Sequence, residues 1–218
     1  MNHTGESAAQ FVDYAISIGA LELLPNGREL KSGRISHYFF NSGLFYTGNA
    51  ISRLAAAYAG TIGKEFKAEV IFGPSYKGSA IAVAVAQALI GRVGWAYNRK
   101  EAKTHGEKGV IIGAPLQGKK VVLVDDVMTT GESLGEAFDI VKTAEGIPIA
   151  CVIAFDRQER GKEGNISAVQ EFEQKYQIPV RAAATLNDLI LSLEKCESDF
   201  SINMLAKIKE YKVQYGVW

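Results

Sequence analysis

The stretch VVLVDDVMTTGES, residues 121–133, constrains this chain more than any other. Val121, Val122, Leu123 and Val124 run without interruption into Asp125 and Asp126. An apolar run of that kind suits a strand covered on both faces, as in a parallel sheet. Thr129, Thr130, Gly131 and Ser133 then make a small polar loop. From Leu134 the apolar residues return at Ala137, Phe138, Val141 and Ala144, which is helical spacing. The order is strand, loop, helix.

Amides of such a loop and first helical turn have no acceptor within the helix, and the helix dipole is positive there, so a phosphate can bind without a lysine. Gly131 lets the backbone come close. The hydroxyls can donate to phosphate oxygens, whereas ionised Asp125 and Asp126 only accept and call for hydroxyls or a cation. A sugar phosphate satisfies both, its phosphate in the loop and its diol, or a metal on the diol, against the acids. Thr129 with Glu132, or Ser133 with Glu136, also has capping-box spacing. Capping does not account for two adjacent acids at the carboxyl end of a buried strand, where open α/β sheets bind ligands.

The length of 218 residues allows one large or two small domains and a core without disulfides. Lysines plus arginines equal aspartates plus glutamates at 24 each, so no global field favours nucleic acid or an anionic membrane. Cys151 and Cys196 have no metal-ligand spacing and fit a reducing compartment. The amino end lacks a basic segment followed by an apolar core, and the longest apolar run, residues 80–90, is too short to span a bilayer. A cytoplasmic protein is expected.

In chain order, Phe11, Ala15, Ile18 and Leu21 predict an amphipathic helix over residues 7–24, ending at Pro25-Asn26-Gly27. Residues 29–47 read as short strands of a flap, in which only one of Phe39 and Phe40 can face the core. Asn49 is the expected cap of a helix with Leu54, Ala55, Tyr58 and Ile62 on its apolar face. A strand over 69–72 leads into GPSYKGS, a second strand-loop-helix with Lys77 in the loop, a partner suited to a diphosphate.

The strand at 93–97 is followed by NRKEAKTHGEKG, residues 98–109, polar, cationic and without periodicity. It is either a lid over the site or an unstructured connection. His105 is a candidate proton or hydrogen-bond donor, although a lone loop histidine is more often neither. A hairpin is expected at 110–120, then strands at 147–155 and 179–185, and helices at 186–193 and around Met204, Ile208 and Tyr211. Arg157 could fork onto a substrate carboxylate, but its spacing favours an ion pair with Asp156 or Glu159.

Over nearly its whole length the chain resembles the orotate phosphoribosyltransferases of the type I phosphoribosyltransferase family. The elements that carry the likeness are the Asp125–Ser133 motif, KSGRISHYFFNSG, Tyr76-Lys77 and NRKEAKTHGEKG. The resemblance implies an α/β fold, a central mostly parallel sheet flanked by helices, with a small hood of a helix and short strands at residues 1–48. The core would be residues 49–218, with a mobile catalytic loop at 98–109. It implies transfer of ribose 5-phosphate from 5-phosphoribosyl 1-diphosphate to orotate, giving orotidine 5'-monophosphate and diphosphate in pyrimidine biosynthesis.

On the same resemblance, Lys31, Tyr76, Lys77, Arg99, Lys100, Lys103, His105 and the run Asp125, Asp126, Val127, Met128, Thr129, Thr130, Gly131, Glu132 and Ser133 meet phosphoribosyl diphosphate. Phe39, Phe40, Thr129 and Arg157 meet orotate. Lys103, His105, Asp125 and Asp126 are the implied catalytic groups. Mg2+ would be held mainly by substrate, with Asp125 and Asp126 as candidates for contact through water. The resemblance also implies a homodimer whose loop closes over the partner's site, with no nucleic acid or membrane partner. His37 stands where the family's flap is expected to carry proline. Another nucleobase, or a regulator that binds the diphosphate without chemistry, would use the same motif. The aromatic pair with Arg157 argues against the first, and the cationic loop without an added basic helix against the second.

Overall fold

In the computed structural model, which describes residues 7–30, 32–91, 93–99, 110–161 and 164–217, the run at 121–124 is a strand whose side chains are fully buried. Its neighbours explain why. The chain forms helix α1 (Ala8–Ser17), strands β1 (Leu21–Glu29) and β2 (Ile35–Phe40), a 3-10 turn (Ser42–Leu44), α2 (Gly48–Glu65), β3 (Val70–Gly73) and α3 (Lys77–Ala88). Then come β4 (Gly94–Asn98), β5 (Ile111–Gly113), β6 (Lys120–Asp125), α4 (Glu132–Thr143), β7 (Ile147–Asp156), α5 (Ala168–Tyr176), β8 (Val180–Thr185), α6 (Leu186–Glu194) and α7 (Asp199–Tyr215).

Six strands make one sheet in the order β5-β4-β3-β6-β7-β8, parallel throughout except for β5 at the edge. Successive residues of a strand face opposite sides, and here both sides are covered. Ile71, Val122, Val124, Val152 and Ala154 enter one apolar cluster with α2, α3 and α6. Val70, Phe72, Val121, Leu123 and Ile153 enter another, with Leu134, Ala137 and Val141 of α4 and Phe172 of α5. This is the helix-flanked, mostly parallel α/β sheet expected from the apolar runs.

β1 and β2 pair separately as an antiparallel ribbon. Its inner residues Tyr38 and Phe40 join the first cluster, where Phe40 stacks on Phe155 of β7 at 5.6 Å between ring centroids. The ribbon is thereby fixed over the carboxyl end of the sheet. His37 ties the ribbon's two strands, its Nδ1 donating to the Leu24 carbonyl at 2.9 Å.

Four local expectations change. The helix expected over 7–24 stops at Ser17, because Leu21 and Leu23 pair with Phe40 and Tyr38 and the ladder wins over the helical spacing of Ile18 and Leu21. Pro25-Asn26-Gly27 lies in an irregularity of β1 between Leu23 and Arg28 rather than at a helix end. Thr47, not Asn49, caps α2, its hydroxyl accepting from the Ala50 amide at 3.2 Å; Asn49 donates to the Tyr14 hydroxyl instead. The strand after residue 110 pairs back on β4, so the hairpin's arms are β4 and β5. Helix α5, capped by a reciprocal Ser167 and Gln170 box, lies in a stretch for which the spacing gave no element.

Candidate active site

Strand order places the site. β3 has β4 on one side and β6 on the other, so the chain's progress across the sheet reverses between β3 and β6. Loops leaving the carboxyl ends of two such strands diverge and open a crevice. The β3 loop carries Lys77 and the β6 loop carries Asp126, and their Nζ and Oδ2 atoms stand 2.7 Å apart.

Asp126 is the junction of the site. Its Oδ2 also accepts from the Ser42 hydroxyl at 2.6 Å, and its Oδ1 from the Val127 amide at 2.9 Å. Its carbonyl accepts from the Ala154 amide at 2.9 Å, fastening the turn to β7. Asp125 accepts from the Asp126 amide through Oδ1 at 2.9 Å, while its carbonyl takes the buried Tyr58 hydroxyl at 2.6 Å. Both acids are buried. Burial and the neighbouring Asp126 charge push the Asp125 carboxyl up to about 6, with the Asp126 amide, Ser133 and Lys77 pulling back.

Beyond the acids the backbone opens. The amides of Met128, Thr129, Thr130 and Gly131 make no hydrogen bond among the described residues. Gly131, at φ +75°, is the N-cap of α4 and offers no side-chain cap. Neither capping box suggested by the spacing therefore forms. The Met128 side chain is buried and anchors the loop from below, while Thr129, Thr130 and Ser133 are exposed above it. Free amides, hydroxyls and a helix N-terminus together make an anion cradle.

The β3 loop is drawn tight by close backbone approach. A Cβ on Gly73 would stand 1.8 Å from the Gly78 carbonyl oxygen. The Ser75–Tyr76 peptide is cis. The Ser75 amide donates to Asn98 Oδ1 at 3.1 Å, so this loop is joined to the chain just where the 98–109 segment begins. Tyr76, largely exposed, lines an open groove of about 670 Å³ with Tyr97 and Arg99.

At the end of β7, Arg157 enters a buried polar cluster. Its Nε donates to Glu159 Oε1 at 2.7 Å, and its guanidinium lies 4.4 Å from the Tyr38 ring centroid. Arg34 of the ribbon reaches the other Glu159 oxygen at 3.3 Å. Burial works against the charge on Arg157, but Tyr38 and Glu159 outweigh it and the guanidinium stays charged. Burial, above all, holds the hydroxyls of Tyr38 and Tyr211 protonated, the latter's value at about 12.

A phosphoribosyl transferase domain model matches residues 45–185, which contain both loops and the acid pair. An orotate phosphoribosyltransferase of Acinetobacter baylyi is 44% identical over 211 residues, 95% of each chain. One from Hahella chejuensis is 46% identical over 213 residues, 95% of this chain and 96% of that one. The chain belongs to the orotate phosphoribosyltransferase family. The crystal structure of the Francisella tularensis member superposes with a TM-score of 0.83 at 35% identity, covering 94% of this chain and 98% of that one.

Against the contacts expected for this family, the structure brings Lys77, Asp125, Asp126 and the loop Val127–Ser133 to one crevice. Phe39 and Phe40 are separated. Phe40 is buried and stacks on Phe155, whereas Phe39 is partly exposed under the Arg28 guanidinium at 4.8 Å. Arg157 takes Glu159 and not Asp156 as its partner, the ion pair that spacing favoured. Lys31, Lys100, Lys103 and His105 lie outside the described residues. Sequence reasoning missed Ser42 and Tyr58 as site residues. Tyr58 had a signal, since a hydroxyl on an otherwise apolar helix face needs a buried partner.

Proposed function

We propose that the chain catalyses transfer of ribose 5-phosphate from 5-phosphoribosyl 1-diphosphate to orotate, with release of diphosphate. The observation that carries this reading is the paired acids beside a loop of amides with no hydrogen bond among the described residues, facing a lysine across the strand crossover. The 5-phosphate enters the cradle, where the Met128–Gly131 amides, Thr129, Thr130 and Ser133 supply donors. Asp125 and Asp126 accept from the ribose hydroxyls and face the positive charge that grows on the ring as the bond to diphosphate breaks. Lys77 exchanges Asp126 for diphosphate oxygens. The orotate ring nitrogen then attacks the anomeric carbon.

The base follows from charge. Arg34 and Arg157 bring two guanidiniums to one carboxylate, Glu159, so the cluster carries an excess positive charge away from bulk water. A buried charge calls for a counterion, and orotate brings a carboxylate where uracil does not. Thr129 and the ribbon at Phe39 complete the pyrimidine's surroundings in this reading.

The acid pair fits a divalent ion carried in on the substrate. Its oxygens are hard donors, and those of Asp126 are already committed to protein groups, which suits contact through water better than a dedicated cage. When bound, Mg2+ neutralises diphosphate charge and makes it a better leaving group. The working form is a homodimer that shares the 98–109 segment, with Lys103 and His105 reaching the partner's diphosphate. The exposed Tyr76, and Trp95 stacked on Tyr97 near the start of that segment, support a face for a second copy. The compartment is the cytoplasm, supported by two free thiols.

The test is loss of orotate absorbance with and without phosphoribosyl diphosphate and Mg2+, with uracil as the competing base. Loss that requires both additions, and is absent with uracil, supports the assignment; turnover of uracil at the orotate rate refutes it.

A further inference from the structure

The cluster around Glu159 is more elaborate than an arginine needs merely to be buried. Glu159 Oε1 accepts from Arg157 Nε at 2.7 Å and from the Tyr38 hydroxyl at 3.1 Å, and stands 2.6 Å from Arg157 Nη2 as an ion pair; Oε2 accepts from Arg34 Nη1 at 3.3 Å. Arg157 Nη2 also reaches the Ser36 hydroxyl at 3.1 Å and the Tyr211 hydroxyl at 3.4 Å. Nη1 has no hydrogen-bond partner among the described residues. The guanidinium is thus gripped along its Nε and Nη2 edge, with Tyr38 against its face, and one nitrogen is left over.

The grip is itself held from three directions. Ser36 and Tyr38 come from β2, Tyr211 from α7, and the Glu159 backbone forms an antiparallel bridge with Gly216 just after that helix. Flanking bonds run from the Arg160 amide to the Tyr215 carbonyl and from the Val217 amide to the Gln158 carbonyl. A planar guanidinium loses little freedom once such a frame sets its plane. The same end of β7 is joined to the acid pair, since the Ala154 and Phe155 amides bond to the Asp126 carbonyl.

We infer that Glu159 is a positioning residue for the pyrimidine: it fixes Arg157 by Nε and Nη2 so that Nη1 is presented to orotate, and so sets orotate affinity without touching substrate. The inference rests on the reading that Arg157 meets orotate. Two alternatives make different demands. If Glu159 only neutralised buried charge, its removal would lower stability and leave the balance between substrates alone. If it competed with orotate for Arg157, its removal would tighten orotate binding.

Steady-state kinetics of Glu159→Ala, Glu159→Gln, Arg157→Ala and the double variant Glu159→Ala/Arg157→Ala, varying each substrate in turn, decide the matter. Glu159→Ala is expected to raise KM for orotate roughly tenfold or more, the scale of a single charge-assisted hydrogen bond to the substrate. KM for phosphoribosyl diphosphate should stay within about twofold, below what one such bond is worth. Glu159→Gln keeps an acceptor and should recover part of the loss; it also serves if the alanine variant folds poorly. In the Arg157→Ala background, Glu159→Ala should add nothing to KM for orotate, because the residue it positions is gone. Unchanged or lowered KM for orotate in both Glu159 single variants, or full additivity in the double variant, overturns the inference. Unchanged KM for orotate in Arg157→Ala instead overturns the assignment of Arg157 beneath it.

Discussion

Lys77 Nζ lies 2.7 Å from Asp126 Oδ2, so the loop after β3 and the loop after β6 are tied together across the crevice that the substrate must enter. The lysine side chain is 60% exposed and the carboxylate 12%. A pair so open on one side contributes on the order of 1 kcal/mol or less to stability. Its value lies in charge placed for a ligand. Lys77→Ala should therefore raise KM for phosphoribosyl diphosphate by roughly 10- to 100-fold, the scale for a charged hydrogen bond to a phosphate. KM for orotate should be nearly unchanged, and thermal unfolding should shift by only about 2 °C. Equal effects on the two substrates would place Lys77 outside the diphosphate site.

The Ser42 hydroxyl donates to the same Asp126 oxygen at 2.6 Å, and it comes from the turn that follows the ribbon. It holds the acid in one rotamer while leaving its charge intact. Ser42→Ala should lower kcat/KM about tenfold, the worth of one hydrogen bond to a charged group, with the nucleotide-forming reaction followed by orotate absorbance. Ser42→Thr, which keeps the donor, should recover much of it. An alanine variant with wild-type kcat/KM would show that Val127 and Lys77 alone fix Asp126.

What the sequence made legible was local. The β-branched run into Asp125, the hydroxyl loop and the return of helical spacing all lie within a few residues, and each is a consequence of backbone period and hydrogen-bonding capacity. Ser42 carried no signal, and the Tyr58 hydroxyl signalled only that it needs a buried partner and not which one, because their partners are 84 and 67 residues away and only the packed sheet brings them together. Alternation established that one of Phe39 and Phe40 faces inward but not which. Stacking of Phe40 on Phe155 decides it, again a contact between distant elements. The over-long first helix failed in the same way, its local spacing losing to the β1 and β2 ladder.

Asp125 gives the protein a defined pH response. Burial first, then the charge of Asp126, raise its carboxyl from 3.8 to about 6, so the native state holds this proton more tightly than the unfolded chain. Stability therefore falls as pH rises through this interval, by roughly 3 kcal/mol once above it. Asp125→Asn should remove that cost: urea unfolding should find the variant more stable than wild type at pH 7.5 and little different at pH 4. Function runs the other way, because only the ionised acid can accept from both ribose hydroxyls. In the wild type, kcat/KM for phosphoribosyl diphosphate should fall about tenfold for each pH step below the titration. A stabilisation of Asp125→Asn that is the same at both pH values would contradict this account of the buried acid.

Gly131 carries the cradle. At φ +75° it turns the backbone into α4 directly after amides that make no hydrogen bond among the described residues, and a Cβ there would stand 3.2 Å from Phe172 Cδ2. Gly131→Ala meets both a left-handed backbone, worth roughly 1–2 kcal/mol, and that ring. The variant should unfold at lower urea. If the loop relaxes to relieve the strain its amides lose their convergence, so KM for phosphoribosyl diphosphate should rise at least about tenfold, as expected when a preorganised donor set is displaced. Inhibition by inorganic phosphate should weaken in parallel. Gly131→Asn separates the two causes, since asparagine tolerates the left-handed region better than alanine but still places a Cβ against Phe172. Recovery of both stability and KM in the asparagine variant would make backbone conformation the cause. Loss equal to that of alanine would make it the contact with Phe172. Wild-type stability and KM in both variants would mean that the phosphate is bound somewhere other than in front of α4.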